Sequence, residues 1–143
     1  MIYCRINLNL THYRELDSCQ LLPRPSRPQL DQIYRDYCRY KKFDSVMPMF
    51  DNDYYGANSE VLGYHNNCGE LVAFSLIRRQ DAVSVEAVQF AWNYQEPRLR
   101  LGIRSLENEC ARYKRLGYRY LYLGFADDYK RQFAGFETLG PVE

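Results

Sequence analysis

Three extended runs joined by very short connections constrain this chain most: Val61 to His65, Leu71 to Arg78 and Val83 to Trp92. Asn66-Asn67-Cys68-Gly69 and Gln80-Asp81 provide the turn residues between them. Parallel neighbours need a crossover of about a dozen residues or more, so these runs pair antiparallel and the sheet cannot be all parallel.

The remaining elements group around that meander. Ile2, Cys4, Ile6, Leu8 and Leu10 alternate with polar residues and predict a first strand over Met1 to Leu10. Pro23 to Pro28 is breaker-rich and reads as loop. Leu30, Ile33, Tyr34, Tyr37 and Lys41 recur at helical spacing and predict a helix over residues 29–42. Residues 44–59 read as an irregular acidic and aromatic connection, a kind of segment that often carries function. Leu99, Ile103, Leu106, Cys110 and Tyr113 define a second helix, ended by a left-handed Gly117. Tyr118 to Phe125 reads as apolar on both faces, a buried central strand. A short polar segment over Asp127 to Gln132 and a last strand over Phe133 to Val142 complete the order. The prediction is a single α+β domain over residues 1–143, with a mixed, mostly antiparallel sheet flanked by helices.

Charge and cysteine usage narrow the function classes. The net charge of +1 gives no global field toward nucleic acid or membrane. Between Tyr94 and Arg119, however, seven basic residues stand against three acids, Glu96, Glu107 and Glu109. Five scattered cysteines without a C-x-x-C pair suggest neither a disulfide framework nor a zinc site, so no metal is expected. Free thiols of this kind fit a reducing compartment. No apolar run has the length of a signal or membrane-spanning segment, and the expected location is cytoplasmic.

The element order is similar to that of the GNAT acetyltransferase fold. Leu101-Gly102-Ile103-Arg104-Ser105 and Leu116-Gly117-Tyr118-Arg119-Tyr120-Leu121-Tyr122-Leu123-Gly124-Phe125 resemble the C-terminal half of arginyl- and leucyl-tRNA–protein transferases. Tyr129-Lys130-Arg131-Gln132-Phe133 with Glu137 resembles that family's following "YK..F.P.E" segment, with Phe136 in place of the proline. The resemblance spans roughly residues 30–140. Tyr34 and Tyr37 on the first predicted helix are loosely similar to a tyrosine-rich helix of that family, and the basic-histidine pair that follows it there is Arg39-Tyr40-Lys41-Lys42 here.

The resemblance implies transfer of an acetyl or aminoacyl group to a primary amine, on a protein N-terminus or a small molecule. The implied donor is acetyl-CoA, another acyl-CoA or aminoacyl-tRNA. The alternative is a non-catalytic module of the same fold that binds a peptide or an RNA end.

Candidate residues follow from the chemistry of such a transfer. Arg98, Arg100, Leu101, Gly102, Arg104 and Ser105 stand where GNAT enzymes cradle a pyrophosphate on free helix-terminal amides, and form the candidate cofactor-binding set. Arg104 occupies a position where the family pattern has a small residue. Glu86, set among Val88, Phe90 and Trp92 on one strand face, is a candidate general base or a solvated surface acid. A backbone N–H near Ala91 to Tyr94 is the expected oxyanion donor. Tyr129 falls where many GNAT enzymes place the acid that protonates the leaving group. Lys130 beside it reads as a phosphate contact or a plain exposed lysine.

Overall fold

The computed structural model describes residues 2–43 and 47–141. Seven strands form one sheet: β1 (Ile2–Asn7), β2 (Cys19–Leu21), β3 (Ser59–His65), β4 (Leu71–Arg79), β5 (Ser84–Trp92), β6 (Tyr120–Phe125) and β7 (Phe136–Pro141). Their order is β2-β3-β4-β5-β6-β1-β7. Every neighbouring pair is antiparallel except β5 and β6, which run parallel. The chain therefore has the mixed, mostly antiparallel sheet that its sequence predicts.

Helix α1 (Arg27–Lys41) and the short α2 (Asp51–Tyr55) cover one face, and α3 (Leu101–Arg115) covers the other. Pro28 opens α1 without sacrificing a hydrogen bond, and Lys42, at φ 56°, ends it. Leu30, Ile33, Tyr34 and Cys38 pack on Val61, Phe74, Leu76 and Ala91. On the opposite face Leu101, Leu106, Cys110 and Tyr113 of α3 pack on Leu62, Tyr64, Ile77, Val85 and Leu121.

Several boundaries depart from the sequence pattern for physical reasons. The first strand stops at Asn7, whose side chain accepts from the Asn9 amide and turns Leu8–Leu10 into a 3-10 segment. Strand β2 and helix α2 are not anticipated. Part of the predicted connection, residues 44–46, lies outside the described residues.

The strand buried on both faces is β4, where Val72 to Ile77 are all buried, and not β6. In β6 Leu121 and Leu123 face the core while Tyr120 and Tyr122 are half-buried. The Arg5 guanidinium lies 3.7 Å from the Tyr120 ring centroid and donates to the Tyr122 hydroxyl at 3.2 Å. Tyrosine mimics an apolar residue in a sequence pattern but offers a polar tip and a cation-binding face in the fold.

Candidate functional site

Strands β5 and β6 pair only through Ser84 with Tyr120, Val85 with Leu121 and Glu86 with Tyr122. Beyond these three residues they diverge. The gap opens into a cavity of about 650 Å³, lined by β5 from Glu86 to Phe90, by Leu123 to Phe125 of β6, and by Gly102, Ser105, Leu106 and Glu109 of α3. Tyr37, Phe43, Asp127, Tyr129 and Lys130 complete its wall.

A bulge shapes the β5 side. Leu76 pairs with Gln89 and Ile77 with Ala87, so Val88 has no partner on β4. The extra residue resets the alternation of faces: Ala87 packs with the α3 face and Val88 with the α1 face, while Phe90 and Trp92 return to the α3 face. Glu86 therefore does not share a face with Phe90 and Trp92, as simple alternation predicts. It is half-buried at the closed end of the gap, and the Gln80 side chain hydrogen-bonds its carboxylate.

The expected oxyanion segment also moves. The Asn93 amide is taken by the Val72 carbonyl at 3.0 Å, and Tyr94, at φ 60°, stacks on Tyr40 with centroids 3.9 Å apart. The stretch of β5 that borders the cavity is Glu86 to Phe90 instead.

On the β6 side, Lys130 is buried rather than exposed. Its ammonium donates to the carbonyl oxygens of Leu123 at 2.9 Å and Phe125 at 2.8 Å, and pairs with Asp127 at 3.0 Å. Both carbonyls lie past the last β6 residue paired with β5. The ammonium thus supplies donors in the region where the neighbouring strand has turned away. Tyr129 precedes it in a 3-10 turn (Asp128–Gln132) and is half-exposed at the cavity wall. Partial burial, then the charge of Asp127, push its phenol upward, which keeps it protonated at neutral pH.

Helix α3 begins without a side-chain cap. Arg100 stands before it at φ 50°, and the first helical bonds run from Ile103 and Arg104 back to the Arg100 carbonyl at 3.2 and 3.0 Å. Among the described residues, the amides of Leu101 and Gly102 have no intramolecular acceptor. A Cβ added at Gly102 would meet nothing within 4 Å.

The predicted cofactor-binding set is divided by the structure. Gly102 and Ser105 face the cavity between β5 and β6. Arg98 and Arg100 are exposed just before the helix. Leu101 is core, and both it and Arg104 border a separate depression with Glu15, Asp17 and His65.

One residue of the cavity escaped the sequence reading. Glu109, counted there only as an acid offsetting nearby cations, is 3% exposed. Its Oε2 accepts from the Tyr64 hydroxyl at 2.5 Å and from the Ser75 hydroxyl at 2.6 Å. Asn108 donates to the same Tyr64 oxygen at 3.0 Å and accepts from the Leu16 amide at 2.6 Å. Burial raises the Glu109 carboxyl to about 7, with the Ser75 and Tyr64 bonds acting in the opposite direction. The spacing Gly102, Ser105 or Leu106, Glu109, Tyr113 places an acid on the edge of the apolar stripe, and that was the available signal.

The family model of the arginine-tRNA-protein transferase C terminus matches residues 25–140. The chain belongs to this family. No curated protein matches the sequence. Among solved structures, L-PGS from Bacillus licheniformis is similar with a TM-score of 0.64 and 15% identity, over 87% of this chain and 46% of that one. A GCN5-related N-acetyltransferase from Kribbella flavida is similar with a TM-score of 0.54 and 14% identity, over 95% and 52%. Saccharomyces cerevisiae N-myristoyltransferase with bound myristoyl-CoA gives 0.57 and 10%, over 89% and 38%. The family member described here thus has a GNAT-like fold and spans about half the length of these neighbours, or less. Among the described residues, no helix is long and apolar enough to cross a membrane, and no group of three or more His, Cys, Asp or Glu side chains is placed to hold a metal ion.

Proposed function

We propose that this domain transfers an aminoacyl group from aminoacyl-tRNA to a primary amine, within the cleft between β5 and β6. The observation that carries the proposal is the divergence of the two strands after Glu86 and Tyr122, beside a helix whose first amides are unpaired among the described residues. Such amides, at the positive end of the helix dipole, suit the phosphate of a donor's carrier. Gly102 leaves room for close approach, and the exposed Arg98 and Arg100 would add bidentate contacts. Arg104 takes no part, because it borders a different depression.

The acyl carbon would lie in the cavity between Val88 and Leu123. The acceptor amine attacks it directly, and no covalent enzyme intermediate is required. Tyr129, protonated at neutral pH and part of the cavity wall, would return a proton to the leaving group. Glu86 acts on the geometry of the closed end, since it lies in the last residue pair that joins β5 to β6.

Family membership favours aminoacyl-tRNA as donor. An acyl-CoA donor is the second reading, supported by the likeness of the fold to a myristoyltransferase solved with myristoyl-CoA. Incubation with tRNA charged with labelled arginine or leucine and a peptide with a free N-terminus distinguishes them. Label in the peptide, with no thermal stabilisation by millimolar CoA, is the expected result. Stabilisation by CoA and transfer only from acetyl-CoA would reassign the donor. Absence of transfer from every donor would leave a binding module for a peptide or RNA end.

A further inference from the structure

Glu109 combines three features seldom found together in a structural carboxylate. It is buried, it borders the cavity, and no cation pairs with it among the described residues. Its two hydrogen bonds both fall on Oε2, leaving Oε1 without one among the described residues. An uncompensated carboxylate in the interior is costly, and side chains of this kind concentrate at reaction centres.

The groups around it are identifiable. Tyr64 on β3, Ser75 on β4 and Cys19 on β2 approach from the sheet. Cys110 and Tyr113 lie on its own helix, and Tyr129 lies on the turn after β6. Burial raises the thiol and phenol groups among them, so these are neutral at pH 7. The charged side chains that share the cavity are Glu86, Asp127 and Lys130, and the last two pair with each other.

We propose that Glu109 is the general base of the transfer, accepting a proton from the acceptor's ammonium group in the cleft. The inference rests on the transfer reading of that cleft. In the step, R–NH3+ gives one proton to the Glu109 carboxylate, and the freed nitrogen lone pair attacks the acyl carbon. The C–N bond forms, and the bond from the acyl carbon to the carrier oxygen breaks with its electron pair on that oxygen. A second amine proton is lost as the amide forms, and the leaving oxygen gains one, so the new amide keeps a single N–H. Glu109 then releases its proton to solvent through the cavity. A carboxyl held at about 7 is well matched to this task, since it is partly ionised at neutral pH yet basic enough to accept a proton.

The test is the pH dependence of kcat at saturating donor and acceptor, for the wild type, Ser75→Ala and Glu109→Gln. The Ser75 hydroxyl stabilises the ionised form of Glu109, so its removal should move the acidic limb, centred near 7, to higher pH. An acceptor amine contributes its own limb, but Ser75→Ala cannot move that one. Glu109→Gln keeps an acceptor for both hydroxyls and should lower kcat on the order of 100-fold, with KM for the donor little changed. An unmoved limb in Ser75→Ala, or a Glu109→Gln enzyme within a few-fold of wild type, would overturn the assignment while leaving the transfer reading intact. A wild type that transfers nothing from any donor would remove both. Should Glu109→Gln fail to fold, the Ser75→Ala profile still decides the matter.

Discussion

At the scale of single residues, the fold places a carboxyl group in the interior and holds it there with two hydroxyls. Folding raises the Glu109 carboxyl from an ordinary 4.5 to about 7, chiefly by desolvation. The folded state therefore binds this proton more tightly than the unfolded chain. The resulting stabilisation is full below about pH 4.5 and is lost as pH rises through 7. Glu109→Gln removes the dependence, so between pH 4.5 and 8 the wild type should lose roughly 3 kcal/mol of stability relative to the variant. Urea denaturation of both proteins across that range reads the difference, and parallel pH profiles would contradict it. The sequence shows Glu109 as one acid in a basic stretch. Its burial depends on Tyr64 and Ser75, which lie on other strands, and no local pattern in α3 reveals them. Tyr129 could be singled out as a candidate from the sequence because a family motif surrounds it.

At the scale of elements, the cleft is maintained from both sides. On β5 the Val88 bulge bends the strand where pairing with β6 ends. On β6 the Lys130 ammonium takes over two carbonyls that have no strand partner there. Lys130→Met preserves length and apolar bulk but removes the ammonium from both oxygens, leaving that of Phe125 only the weak Cys4 thiol donor. It should cost about 2–4 kcal/mol in thermal or chemical denaturation and lower transfer at least as severely as Tyr129→Phe. A variant with unchanged stability and activity would show that β6 holds its course without this contact. The meander, α1 and α3 were legible within one or two residues, because their periodicities are local. Strand β2 was not, since Cys19–Leu21 is three residues long and is defined only by pairing with Leu62 to Tyr64. Helix α2 was hidden for a similar reason. Its Tyr54 is buried against Phe74 and donates to Asp31, contacts that come from α1 and β4 rather than from its own five residues. The reading of β6 as doubly apolar failed because Tyr120 and Tyr122 carry Arg5 on their outer face.

At the scale of the whole molecule, the sheet order places two antiparallel units side by side, the second of which combines the N-terminal β1 with the C-terminal β6 and β7. β5 closes the meander and β6 follows α3, so their parallel contact is the seam between an antiparallel β2-β3-β4-β5 unit and an antiparallel β6-β1-β7 unit. A seam of only three paired residues is where such a sheet can open without exposing the interior of either unit. The class of fold followed from connection lengths, and its kinship from the Leu101 to Phe125 segment. The opening itself left no mark in the sequence, because it is a property of where two distant strands stop pairing. The most direct test is amide NMR of the protein titrated with an amide-linked arginyl-adenosine, which mimics the charged end of tRNA and cannot be consumed. Shifts concentrated at Val88, Gln89, Gly102, Ser105 and Gly124 are the predicted result. Saturable binding with those five amides unmoved, and shifts instead around His12, Glu15 and Arg104 on the other side of α3, would contradict the cleft as the site of transfer.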